Sequence, residues 1–324
     1  MWETLQAKCE DFIINRGTAR QVFRLSSPMM HCLCALQIAA ADQDMPEERL
    51  IEGKRRYKAA FHAFSAMRGI AMPGMATLAA LEKDTDGFLS ALNRAYFEIR
   101  SAGFRATDYQ PMTAWLLVTG ASRLAWESLA AKARRLYLGM RERHPFLTSG
   151  EDACFALLLA METGDEGETL ERCEDAFRLL REKFRVSNAT QTLAHILALE
   201  PENLAERCAN TAELFGRLRE LRCRFKRGME TTMLAALTYF YTDMGVAADD
   251  LALTYHRLRA HRGFSMMSVG RNQCAFYAAC LLALEKARAL PETEREKMQR
   301  LIRLIASVTV TLAAIQAAAA AAAS

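Results

Sequence analysis

Residues 144–161, HPFLTSGEDACFALLLAM, hold in one stretch what the whole chain repeats. A bulky apolar residue, Phe146, closes a charged segment; a short Thr/Ser/Gly stretch follows, then a run of Ala, Leu and Met. The phrase returns as FRLSSPMMHCLCALQIAA from Phe23, FRATDYQPMTAWLLV from Phe104 and FRVSNATQTLAHILAL from Phe184. It returns again as FKRGMETTMLAALTYF from Phe225 and FSMMSVGRNQCAFYAACLLAL from Phe264, with a degraded copy, IAMPGMATLAALEK, from Ile70. Taken in order, the anchors lie 47, 34, 42, 38, 41 and 39 residues apart. A period of this length marks stacked supersecondary units, each burying its apolar face against its neighbours.

Each repeat reads as a helical hairpin. Residues 171–183 (ERCEDAFRLLREK) put Phe177 and Leu180, with Phe184 just beyond, on one stripe with charges opposite. Residues 152–161 (DACFALLLAM) are apolar nearly all round and belong in the interior. Thr148 and Glu151 have capping-box spacing, as do Thr107 with Gln110 and Asn188 with Gln191; Ser27 before Pro28 gives an N-cap followed by proline in the first turn. Gly120, Gly164 and Gly245 are expected to close second helices. No β-branched run alternates with polar residues, so the expected fold is all-α. Seven stacked hairpins would form an α-solenoid-like array; the rival arrangement closes them into an α/α toroid.

With no linker rich in Pro, Gly or Ser, residues 1–303 read as one repeat domain. Residues 304–323 carry no charge over twenty positions and could span a bilayer by length. Alanine adds little to insertion, however, and Leu304, Ile305, Val308, Leu312 and Ile315 fall on one helical stripe. Residues 304–324 are therefore expected to cap the last hairpin around Phe276, Cys280 and Leu284, the alanine tract fraying beyond Gln316. Membrane contact is left to this segment alone.

The nine cysteines (Cys9, Cys32, Cys34, Cys154, Cys173, Cys208, Cys223, Cys274 and Cys280) are odd in number and lack CxxC spacing. Buried, reduced thiols in a cytoplasmic protein are expected. The net charge of +4 implies no polyanionic partner. The densest basic run, residues 217–227 (RLRELRCRFKR), spreads its charge around a helix without interleaved aromatics, which disfavours nucleic acid.

Phosphate-loop, dinucleotide, zinc-protease and nucleophile-elbow motifs do not occur, so no catalytic residue, metal ligand or cofactor is assigned. In His31-Cys32-Leu33-Cys34, neighbours at i and i+1 diverge by about 100° on a helix, which argues against a zinc site. His195, in an apolar run, reads as a core histidine bonded to a carbonyl. Stacking should line up the turns after the anchors and the starts of the second helices. That edge would collect Asp108, Tyr109, Glu151, Asp152, Asn188, Gln191, Glu230 and Arg271, as helix caps or as a partner-binding edge.

The stretch 144–161, above all Phe146-Leu147-Thr148 with Glu151-Asp152, resembles a bacterial all-helical family catalogued only as a domain of unknown function. The resemblance implies a bacterial, cytoplasmic protein and carries over no catalytic residues. The favoured reading is a helical-repeat scaffold for an unknown protein or peptide partner. The alternative is an enzyme or small-ligand binder with its site at the helix ends of a toroid.

Overall fold

The computed structural model describes residues 2–223, 225–264 and 269–323, and among them every regular element is helical. α1 (Trp2–Val22) pairs with α2 (Pro28–Ala41), α3 (Glu47–Ala60) with α4 (Met72–Leu81), and α5 (Thr85–Ser101) with α6 (Gln110–Gly120). α7 (Trp126–Arg143) and α8 (Asp152–Ala160) follow. Then α9 (Glu166–Leu180) pairs with α10 (Asn188–Leu197), α11 (Leu204–Glu220) with α12 (Thr232–Leu237), and α13 (Met244–Ala260) with α14 (Arg271–Ala287). α15 (Glu292–Ala323) ends the chain's described part. The forty-residue phrase thus corresponds to successive hairpins in an all-α fold.

The hairpins group into two compact units. One holds α1 to α6, the start of α7 and the end of α15 from Arg303; the other runs from Ala131 to Ile302. Both boundaries fall inside helices, so no linker marks them. In the first unit α1 packs on α3, α3 on α5 and α2 on α4; in the second, α9 packs on α11, α11 on α13, α8 on α10 and α10 on α12. First helices thus lie beside first helices and second beside second. The second helices form the core: every residue of α8 and α12 is buried, and every residue of α10 except its first, the half-buried Asn188. A fully buried leucine such as Leu157, Leu193 or Leu234 contributes about 1.5–3 kcal/mol.

Local signals hold in part. Ser27 caps α2, its Oγ accepting from Met30 N at 3.3 Å, with Pro28 in the first turn. The expected capping boxes do not form: α6, α8 and α10 start at Gln110, Asp152 and Asn188, behind Tyr109, Glu151 and Ser187 as N-caps. Gly245 opens α13 rather than closing α12, because Asp243 Oδ1 accepts from Gly245 N (2.7 Å) and Val246 N (3.2 Å).

The C-terminal segment also departs from expectation. From Arg303 on, α15 groups with the N-terminal unit, where Gln37 Nε2 of α2 donates to Ser307 Oγ at 3.1 Å. Residues 304–311 are buried on all sides and not along one stripe; the helix continues through the alanines, exposed from Gln316. By length and composition α15 is long and apolar enough to cross a membrane.

None of the nine cysteines forms a disulfide, and all nine are buried. Burial pushes the Cys34, Cys173 and Cys223 thiols up to about 12 and Cys208 to about 11. The thiolate is the reactive form. Native protein at neutral pH should therefore take up iodoacetamide slowly, whereas unreduced, denatured protein should show all nine thiols; rapid native labelling of several would contradict this burial.

Candidate functional site

Four of the eight edge residues come together in the second unit. The turn between α7 and α8 wraps tightly, Leu147 N and Thr148 N both donating to His144 O. His144, instead of the anchor Phe146, fills the inward position: its ring centroid lies 4.6 Å from Phe177 and its Nε2 2.7 Å from Glu174 Oε2. Phe146 follows Pro145 and is left 99% exposed, whereas Phe104, Phe184 and Phe225 are buried. Of these four anchors, Phe146 alone breaks the pattern of burial.

Past Phe146 the turn becomes a polar knot. Asp152 Oδ2 accepts from Ser149 N at 2.8 Å, and Ser149 Oγ donates to Glu151 Oε2 at 2.6 Å. The neighbouring repeat reaches in from the start of α10. Asn188 Nδ2 donates to Leu147 O (2.7 Å) and Glu151 Oε1 (2.8 Å), and Gln191 Nε2 donates to Thr148 Oγ1 (2.9 Å). One turn further along α10, His195 Nδ1 lies 3.4 Å from Asp152 Oδ1, both side chains buried. His195 thus faces a carboxylate of the adjacent repeat in place of the expected carbonyl, and neither atom completes a hydrogen bond among the described residues. The sequence signal for this was the pair of equivalent positions in consecutive second helices, where helix starts align.

Acceptors outnumber donors in this knot. Gln191 Oε1 and Asn188 Oδ1 have no hydrogen-bond partner among the described residues. Gln191 and His195 border a cavity of about 10 Å³, also lined by His144, Cys173 and Glu174. That volume holds about one water molecule. Among the described residues no group of His, Cys, Asp and Glu is arranged to hold a metal ion.

Burial raises the Glu151 carboxyl above the ordinary glutamate range, only partly offset by the hydrogen bond from Ser149. The native state then keeps a proton that the unfolded chain has released, so stability falls as pH rises through this window and recovers as pH falls. Glu151→Gln should flatten that dependence. Urea midpoints of parent and variant that keep a constant difference between about pH 5 and about pH 8 would show that Glu151 does not titrate this way.

The other edge residues lie elsewhere. In the first unit Asp108 Oδ1 accepts from Ile70 N at 3.0 Å, and a Cβ on Gly69 would meet the same oxygen at 2.2 Å. Tyr109 is buried as the N-cap of α6. In the second unit Glu230 is half-buried in a 3-10 turn (Met229–Thr231) and Arg271 is exposed at the start of α14. His31, in α2, is buried with Nε2 2.9 Å from Phe23 O. In the basic run, Arg217 Nε binds Glu213 Oε1 at 2.7 Å, and Arg224 lies outside the described residues.

No curated protein and no solved structure matches the chain. A family profile does, over residues 17–313. The chain therefore belongs to the family described as protein of unknown function (DUF4003).

Proposed function

We propose that this chain is a helical-repeat scaffold that binds a protein or peptide partner at the turns following its first helices. The observation that carries the reading is Phe146, a phenylalanine left 99% exposed at a repeat position that elsewhere buries it. Val186, in the next turn, is 61% exposed, and the two turns are joined by the Asn188–Leu147 hydrogen bond. Apolar side chains fixed on a rigid edge suit partner binding, since little conformational freedom remains to be lost. The polar groups behind them are tied into bonds between repeats.

An enzyme or small-ligand site at these helix ends has the buried Asp152–His195 pair in its favour, but the adjacent space of about 10 Å³ admits no substrate. Nine buried thiols support a reducing compartment, and we assign the scaffold to a bacterial cytoplasm. Affinity purification from the native host should recover a partner with the parent chain and lose it with Phe146→Ser/Val186→Ser, thermal unfolding being unchanged. Identical recovery by both proteins would sink the reading.

A further inference from the structure

The edge that carries Phe146 and Val186 is unevenly charged. The turn after α9 exposes Lys183 and Arg185, and the turn after α11 exposes Arg222 and Lys226. The charged heads of these four side chains make no ion pair or hydrogen bond among the described residues. Arg227, next in the chain, lies with its guanidinium 5.9 Å from the Phe215 ring centroid. The acids of the two turns, Glu182 and Glu230, are not ion-paired either and are fewer than the cations. Glu142 and Glu220 stand further back, on α7 and α11.

The turns are held side by side. Asn188 Nδ2 bonds Leu147 O across the first pair, and the 3-10 turn Met229–Thr231 packs on α10 across the second. Arg222 is fixed in the left-handed region (φ 59°), so the chain turns sharply where this charge is displayed. An excess of one sign of charge displayed on an edge attracts a partner of the opposite sign.

We propose that this edge docks an acidic protein segment bearing apolar residues. Lys183, Arg185, Arg222 and Lys226 meet its carboxylates, while Phe146 and Val186 take its apolar side chains. The inference rests on the scaffold reading and names the chemistry of the partner. A single-stranded nucleic acid would call for a series of stacking aromatics, and Phe146 is the one exposed aromatic among the described residues of these turns.

The test uses the full chain and four fluorescent probes: a Glu/Leu peptide, a Glu/Ser peptide of equal length, a Lys/Leu peptide and a single-stranded oligonucleotide. Fluorescence anisotropy should show the Glu/Leu peptide binding best, more weakly as salt rises, and about tenfold or more weakly to Lys183→Glu/Arg185→Glu/Arg222→Glu/Lys226→Glu. Phe146→Ser should weaken the Glu/Leu peptide selectively over the Glu/Ser peptide. If the fourfold variant unfolds early, Lys183→Gln/Arg185→Gln gives the same comparison with smaller loss. Equal binding of the two acidic peptides, tighter binding of the oligonucleotide, or undiminished binding by the charge variants would overturn the proposal. Should these fail while a co-purified partner still depends on Phe146 and Val186, the acidic assignment falls and the scaffold stands. Failure of both removes the scaffold as well.

Discussion

Phe184→Ala is expected to destabilise the protein by about 3–5 kcal/mol, and Phe146→Ala by less than about 0.5 kcal/mol. The two residues hold the same place in the repeat phrase, so the sequence offers no ground for treating them differently. Phe184 is 5% exposed, its ring centroid is 5.2 Å from that of Phe215, and its N–H closes onto Leu180 O at 2.8 Å. Truncation there removes a large transfer term and leaves a cavity that two packed helices cannot fill. At Phe146 the ring is already in water and the inward place belongs to His144. Urea unfolding of the two alanine variants gives both numbers. Similar losses at the two positions would mean that Phe146 is buried after all, and the docking edge built on it would go with it.

Removing residues 304–324 should cost more than any single substitution. Leu304, Ile305, Val308 and Val310 are all almost wholly buried. At about 1.5–3 kcal/mol for each, their burial rivals the entire net stability of an ordinary domain. The deletion also leaves Gln37, inside the apolar α2, without its Ser307 partner. The truncated chain should therefore melt earlier and bind ANS, with loss of structure concentrated in α1 to α6 by hydrogen exchange. If it instead kept its melting temperature while the full-length chain moved to the membrane fraction, α15 would be an anchor and its burial irrelevant.

Several features were legible in the sequence because they depend on local pattern. The repeat spacing, the all-α class, the interior placement of residues 152–161 and the Ser27–Pro28 start all follow from side-chain period and backbone chemistry within one helix. The alignment of Glu151, Asp152, Asn188 and Gln191 was legible too, since stacked hairpins bring equivalent helix starts together. Boundaries were less secure. Glu151 and Thr148 could satisfy a capping box, but the neighbouring repeat outcompetes it: Asn188 and Gln191 claim those side chains and α8 starts later.

What only the tertiary structure decided involves partners distant in the chain. Phe146 and Phe184 share a phrase, yet which ring turns inward depends on Phe177 and Glu174, supplied by the following helix to His144. His195 lies in an apolar run, and only the packing of α10 on α8 set the Asp152 carboxylate beside it. The apolar end of α15 had to be covered by something, and its own periodicity could not say that α2, some 270 residues away, would share that burial. A hydrophobic pattern specifies that a face must leave water; it does not carry the address of the surface that receives it, because apolar burial is non-directional.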